Sequence, residues 1–99
     1  MSAVTIARAL RNQAIVSGIA QRRLPAQGDR AALVITLRLE GDDWVASFTR
    51  HAATVTDSEL ITWRAAFGIP SGAEMERESV NGYEVRRLRW AAVAQGELF

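Results

Sequence analysis

Residues 33–50 read LVITLRLEGDDWVASFTR, and the alternation in this stretch decides the fold. Leu33, Ile35, Leu37 and Leu39 alternate with Val34, Thr36, Arg38 and Glu40, the period-2 pattern of a half-buried strand. Glu40-Gly41-Asp42-Asp43 is a turn by composition. Trp44, Ala46 and Phe48 then alternate with Val45, Ser47 and Thr49. A loop of those four residues pairs Leu39 with Trp44, Leu37 with Ala46 and Ile35 with Phe48. The result is a β-hairpin over residues 32–50 with one wholly apolar face that another layer must cover.

The covering element follows in sequence. Thr56-Asp57-Ser58-Glu59 is a capping box, with Thr56 at the N-cap and Glu59 three residues on. Val55 and Leu60 sit where a hydrophobic staple needs them. Gly68 is placed for a left-handed C-cap, and Pro70 bars continuation. Leu60, Ile61, Trp63 and Phe67 supply the apolar side of this helix. Residues 75–93 form a second hairpin, because Asn81-Gly82 is the strongest short hairpin signal. A two-residue turn there pairs Val80 with Tyr83, Glu78 with Val85, Glu76 with Arg87 and Met75 with Leu88.

Upstream, residues 3–23 read as a helix that ends at Leu24-Pro25, since the residue before proline disfavours helix. Ile6, Leu10, Ser17, Ala20 and Leu24 share one face of its wheel. Arg8, Arg11, Arg22 and Arg23 share another, within about a 120° arc. Gly18 weakens this helix by roughly 1 kcal/mol relative to alanine. The expected fold is therefore a single α+β domain over residues 1–99. Its order is α-ββ-α-ββ, a four-stranded antiparallel sheet with two helices packed on one face.

Composition excludes several function classes. The chain has 99 residues, no cysteine and one histidine, which rules out disulfide frameworks, thiolate nucleophiles and His- or Cys-rich metal sites. The absence of cysteine is consistent with the cytoplasm. No stretch approaches membrane-spanning length. His51 has no identifiable orienting partner, no nucleophile-elbow motif occurs, and Gly68-Ile69-Pro70-Ser71-Gly72 is a helix stop rather than a phosphate loop. Glu40, Asp42 and Asp43 near a turn could hold a divalent cation, but turn preference explains the aspartates equally well. No catalytic residue, metal site or cofactor is expected.

The charge is better informed. All twelve basic residues are arginine. Residues 1–28 carry Arg8, Arg11, Arg22 and Arg23 without an acid, a net of +4, whereas residues 29–99 hold eight arginines against eleven acids, a net of −3. The stripe Arg8/Arg11/Arg22/Arg23 is a candidate nucleic-acid contact. Arg86, Arg87 and Arg89, interleaved with Tyr83 and Trp90, are a second candidate. A solvated, salt-bridged face explains that second group as well, through pairs such as Glu76–Arg87. Ile15 and Ile19 lie near the arc of the first stripe. A face that mixes isoleucine with arginine suits burial against another chain.

The chain closes on Gln95-Gly96-Glu97-Leu98-Phe99. A glutamine, two variable positions and Leu-Phe resembles the short peptide by which bacterial sliding-clamp partners enter the clamp. That resemblance implies that Gln95 hydrogen-bonds through its amide and that Leu98 and Phe99 fill an apolar pocket. Gly96 departs from the pattern, which has an apolar residue second. The alternative is that Leu98 and Phe99 pack on the chain's own core. Together these features lead to the expectation of a small non-enzymatic binding or accessory module, acting through a protein partner or self-association. Nucleic-acid binding through the arginine stripe and clamp binding through the tail are the alternatives.

Overall fold

The computed structural model describes residues 2–92. The chain runs α1 (Ala3–Ser17), β1 (Ile19–Leu24), β2 (Leu33–Glu40), β3 (Asp43–His51), α2 (Asp57–Phe67), β4 (Glu74–Val80) and β5 (Tyr83–Ala91). The α+β class stands, but the sheet has five strands rather than four, in the spatial order β1-β2-β3-β5-β4. Every neighbouring pair is antiparallel.

The extra strand comes from the second half of the expected N-terminal helix. Ser2 caps α1, accepting a hydrogen bond from the Thr5 N–H. Gly18 ends it in the left-handed region at φ 82°, and its N–H donates to the Ala14 carbonyl at 2.7 Å. A non-glycine residue meets steric resistance there. β-branched Ile19 then begins β1, and the Gly18 carbonyl accepts the Leu39 N–H at 2.9 Å. The order is thus α-βββ-α-ββ. Arginines that share one arc of a continuous helix are divided between a helix and the two faces of a strand.

Both hairpins form in the expected registers, with Leu39 opposite Trp44, Ile35 opposite Phe48, Val80 opposite Tyr83 and Glu76 opposite Arg87. The first turn is tighter than four residues. Glu40 pairs with Asp43, leaving Gly41-Asp42 as the loop. Helix α2 carries the full capping box and ends at Gly68 in the left-handed region.

The helices share one face of the sheet. Leu33, Ile35 and Leu37 of β2, Trp44, Ala46 and Phe48 of β3, and Leu88 and Trp90 of β5 pack against Ile6, Leu10 and Ala14 of α1 and Leu60, Trp63 and Phe67 of α2. Phe48, Trp63 and Phe67 form a triangle of rings with centroids 6.1–6.4 Å apart, the spacing of favourable aromatic contacts. Ile61, expected on the apolar side of α2, instead faces solvent. Among the described residues, no helix lies on the opposite face of the sheet. Val45 is nonetheless fully buried there, between its cross-strand neighbours Arg38 and Arg89, side chains of a type whose aliphatic stems cover apolar surface.

Candidate binding edge and cleft

Strand β1 forms one edge of the sheet. Because Gly18 directs its carbonyl at β2 and strand groups alternate in direction, Ala20, Arg22 and Leu24 also point their backbone groups at β2. Ile19, Gln21 and Arg23 therefore present their N–H and C=O groups outward. The apolar side chains Ile15, Val16 and Ile19, on either side of the Gly18 turn, are 56%, 85% and 49% exposed. Ile15 and Ile19, partner-facing on the sequence pattern, are thus both accessible.

The expected arginine stripe does not assemble. Arg8 is exposed on α1. Arg11 turns toward α2, where its Nη2 donates to the Phe67 carbonyl at 2.6 Å and its guanidinium lies 5.5 Å from the Trp44 ring centroid. Arg22 and Arg23 are neighbours on β1 and point to opposite faces. Arg22 faces the helix side beside Ile35, and Arg23 faces the open side beside Val34.

The second arginine group divides in the same way. Arg86 lies on the helix side, 7% exposed, where Nη2 donates to Asp57 Oδ1 at 3.1 Å and Nη1 to the Val55 carbonyl at 3.4 Å. Buried Glu84 lies within ion-pairing distance of Arg77 and Arg86, at 3.3 and 3.6 Å, though neither contact has hydrogen-bond geometry. Arg87 and Arg89 occupy the open face and are already paired. Arg87 reaches Glu76 at 3.3 Å, and Arg89 reaches Glu40 at 2.8 Å and Asp43 at 3.2 Å. The hydrogen bond from Arg89 holds the Glu40 carboxyl below its usual pKa. Glu40 and Asp43, two of the three acids near the first turn, are thus engaged by arginine. No group of three or more His, Cys, Asp or Glu residues could hold a metal ion among the described residues. The His51 ring packs against that of its cross-strand partner Tyr83, with centroids 4.6 Å apart and planes tilted by 47°. Gln95, Leu98 and Phe99 lie outside the described residues.

On the helix side, a cleft of about 460 Å³ opens between α1, β1, the β1–β2 loop and α2. Its apolar wall comes from Ile6, Leu24, Leu33 and Trp63, and its polar wall from Arg22, Arg30, Arg50, Ser58, Glu59 and Thr62. Arg50 is 5% exposed and is held firmly. Its Nε donates to the Ala31 carbonyl, Nη1 donates to the Thr54 carbonyl, and both terminal nitrogens bond the two Glu59 oxygens. The Arg50 hydrogen bonds, assisted by those from Thr56, lower the Glu59 pKa to about 2. The sequence pattern assigns Glu59 only the role of a helix cap. A signal for its second role is present, because Arg50 occupies the inward register of Trp44, Ala46 and Phe48, where a charge requires a buried counter-charge.

No helix among the described residues is long and apolar enough to cross a membrane. Comparison with protein-family models, curated proteins and solved structures finds no match to this chain.

Proposed function

We propose that the protein is a non-enzymatic binding module that works by self-association, with the outer edge of β1 receiving strand β4 of a second copy. The carrying observation is the opposite charge of the two sheet edges. β1 bears Arg22 and Arg23 without an acid, while β4 bears Glu74, Glu76 and Glu78 with a single arginine, Arg77. Two copies of β1 side by side would instead crowd four arginines into one seam, which like-charge repulsion disfavours.

The backbone parity is compatible with this pairing. Asn81-Gly82 closes the β4–β5 hairpin as a two-residue turn with both residues at positive φ. Val80 and its even-numbered neighbours therefore bond β5, and Met75, Arg77 and Ser79 point their backbone groups outward. An antiparallel register with Gln21 opposite Arg77 sets Arg22 opposite Glu76 and places no arginine opposite an arginine. Exposed Ile15, Val16 and Ile19 at the end of β1 add apolar area to the seam. Such a contact is heterologous, so it builds rings or chains of copies rather than a closed dimer.

The test is light scattering across a concentration series at low and high salt, with Gln21→Pro as the variant. The Gln21 N–H bonds nothing in β2, so proline there removes an edge donor and leaves the internal ladder intact. Concentration-dependent growth that salt and Gln21→Pro both suppress supports the reading. A strict monomer at both salts overturns self-association. If that monomer still binds a synthetic peptide of residues 74–80 through a Gln21→Pro-sensitive site, the edge recognises an acidic strand of another protein. If it binds neither, the edge has no role.

A further inference from the structure

We infer that the cleft between α1, β1 and α2 is a binding site for a small molecule carrying an oxyanion, a phosphomonoester or a carboxylate, on an apolar body. This site borders the β1 edge and shares Arg22 with it, but Arg30, Arg50 and the apolar wall take no part in the proposed self-association. The cleft volume of about 460 Å³ falls within the roughly 300–1,000 Å³ typical of small-molecule sites. Its lining is divided: Ile6, Leu24, Leu33 and Trp63 form an apolar wall, and three arginines converge from separate elements. Arg22 comes from β1, Arg30 from the β1–β2 loop and Arg50 from β3.

The balance of charge favours an anion. Among the described residues Glu59 is the one carboxylate on the cleft wall, and both its oxygens are engaged by Arg50. With its pKa at about 2, it stays ionised at neutral pH and cannot relieve the excess of positive charge. Three arginines against one glutamate leave a net +2 on the lining. No ion pair involving Arg22 or Arg30 is formed among the described residues. Arg50 uses four of its five N–H donors in the bonds already described, so one Nη2 hydrogen is uncommitted among the described residues. The pre-positioned Arg50, with Arg22 and Arg30 at the rim, forms a set of forked donors suited to a phosphate or carboxylate. Trp63 and Leu33 provide the surface for the ligand's apolar part.

The test is calorimetric titration of the whole chain with phenyl phosphate, benzoate, inorganic phosphate and neutral benzyl alcohol. Saturable binding of phenyl phosphate or benzoate, at least about tenfold tighter than benzyl alcohol, is expected, and the stronger of the two identifies the oxyanion. Inorganic phosphate should bind more weakly than phenyl phosphate, since it lacks the apolar part. Arg30→Gln and Arg22→Gln should each weaken binding about tenfold. Arg23→Gln changes the net charge equally, but its side chain lies on the other face of β1, so it should leave affinity unchanged. Arg30 sits on an exposed loop, which keeps that variant informative even if Arg22→Gln disturbs the fold. No saturable binding, or equal weakening by Arg23→Gln, overturns the inference.

Discussion

Arg50 and Glu59 meet in a two-pronged ion pair that ties β3 to the first turn of α2, with Nη1 2.6 Å from Oε1 and Nη2 2.8 Å from Oε2. Both side chains are nearly enclosed, at 6% and 13% exposure. The same Glu59 closes the capping box with Thr56. One carboxylate therefore starts α2, fixes the helix to the sheet and neutralises a buried guanidinium.

This pair makes stability depend on acid. The carboxyl titrates at about 2 in the folded protein against an ordinary 4.5. A depressed folded-state value stabilises fully above the unfolded value, and the contribution is lost as pH falls from about 4.5 through about 2. Urea unfolding between pH 7 and pH 2 should show stability declining across that window. Glu59→Gln should lower stability at pH 7 by about 3 kcal/mol, because a buried charge loses its partner, and should flatten the acid decline. The double replacement Arg50→Met/Glu59→Leu should recover much of that loss, as apolar residues replacing a whole buried pair often do.

The helix-to-strand switch rests on Gly18. A side chain at this residue meets no atom within 4 Å, so its only penalty is the positive φ of 82°. Gly18→Ala should cost about 1–2 kcal/mol, and Gly18→Asn distinctly less, since asparagine tolerates the left-handed region. Thermal unfolding measured by circular dichroism checks both. Equal losses for the two variants would mean that backbone strain is not the cause.

Arg11 joins the two helices. Its charge meets the carbonyl end of α2 at Phe67, where a cation is favoured by the helix dipole, and it lies on the Trp44 ring. Arg11→Ala should destabilise by roughly 1–3 kcal/mol, with Arg11→Lys retaining part of the effect. Arg8→Ala, one turn earlier on the exposed surface, should change stability by less than about 0.5 kcal/mol. Denaturant midpoints for the three variants separate the roles.

Much of the fold is legible in the residues alone. The two hairpin registers, the capping box and the Gly68 stop depend on contacts within a few residues or on period-2 alternation. Residues 18–24 are the exception. Ala20, Arg22 and Leu24 suit the outer turns of a helix as well as one face of a strand, and the left-handed stop at Gly18 with the antiparallel pairing of β1 to β2 separates the two. The candidate site suffers from the same ambiguity. Arg22 and Arg23 count as one stripe on a helix, but a strand sends them to opposite sides of the sheet.

Local patterning and turn chemistry are enough to dictate the α+β class, the two hairpins and the second helix. Long-range packing settled the rest: that β1 is an edge strand, that Arg50 is buried on Glu59, and that Arg22, Arg30 and Arg50 surround one cleft. Those three arginines are spread along the chain from β1 to β3, and no local periodicity links them. They meet because antiparallel pairing folds β1 onto β2 and β2 onto β3, and because a charge in the inward register of β3 must find its counter-charge on the helix that covers it.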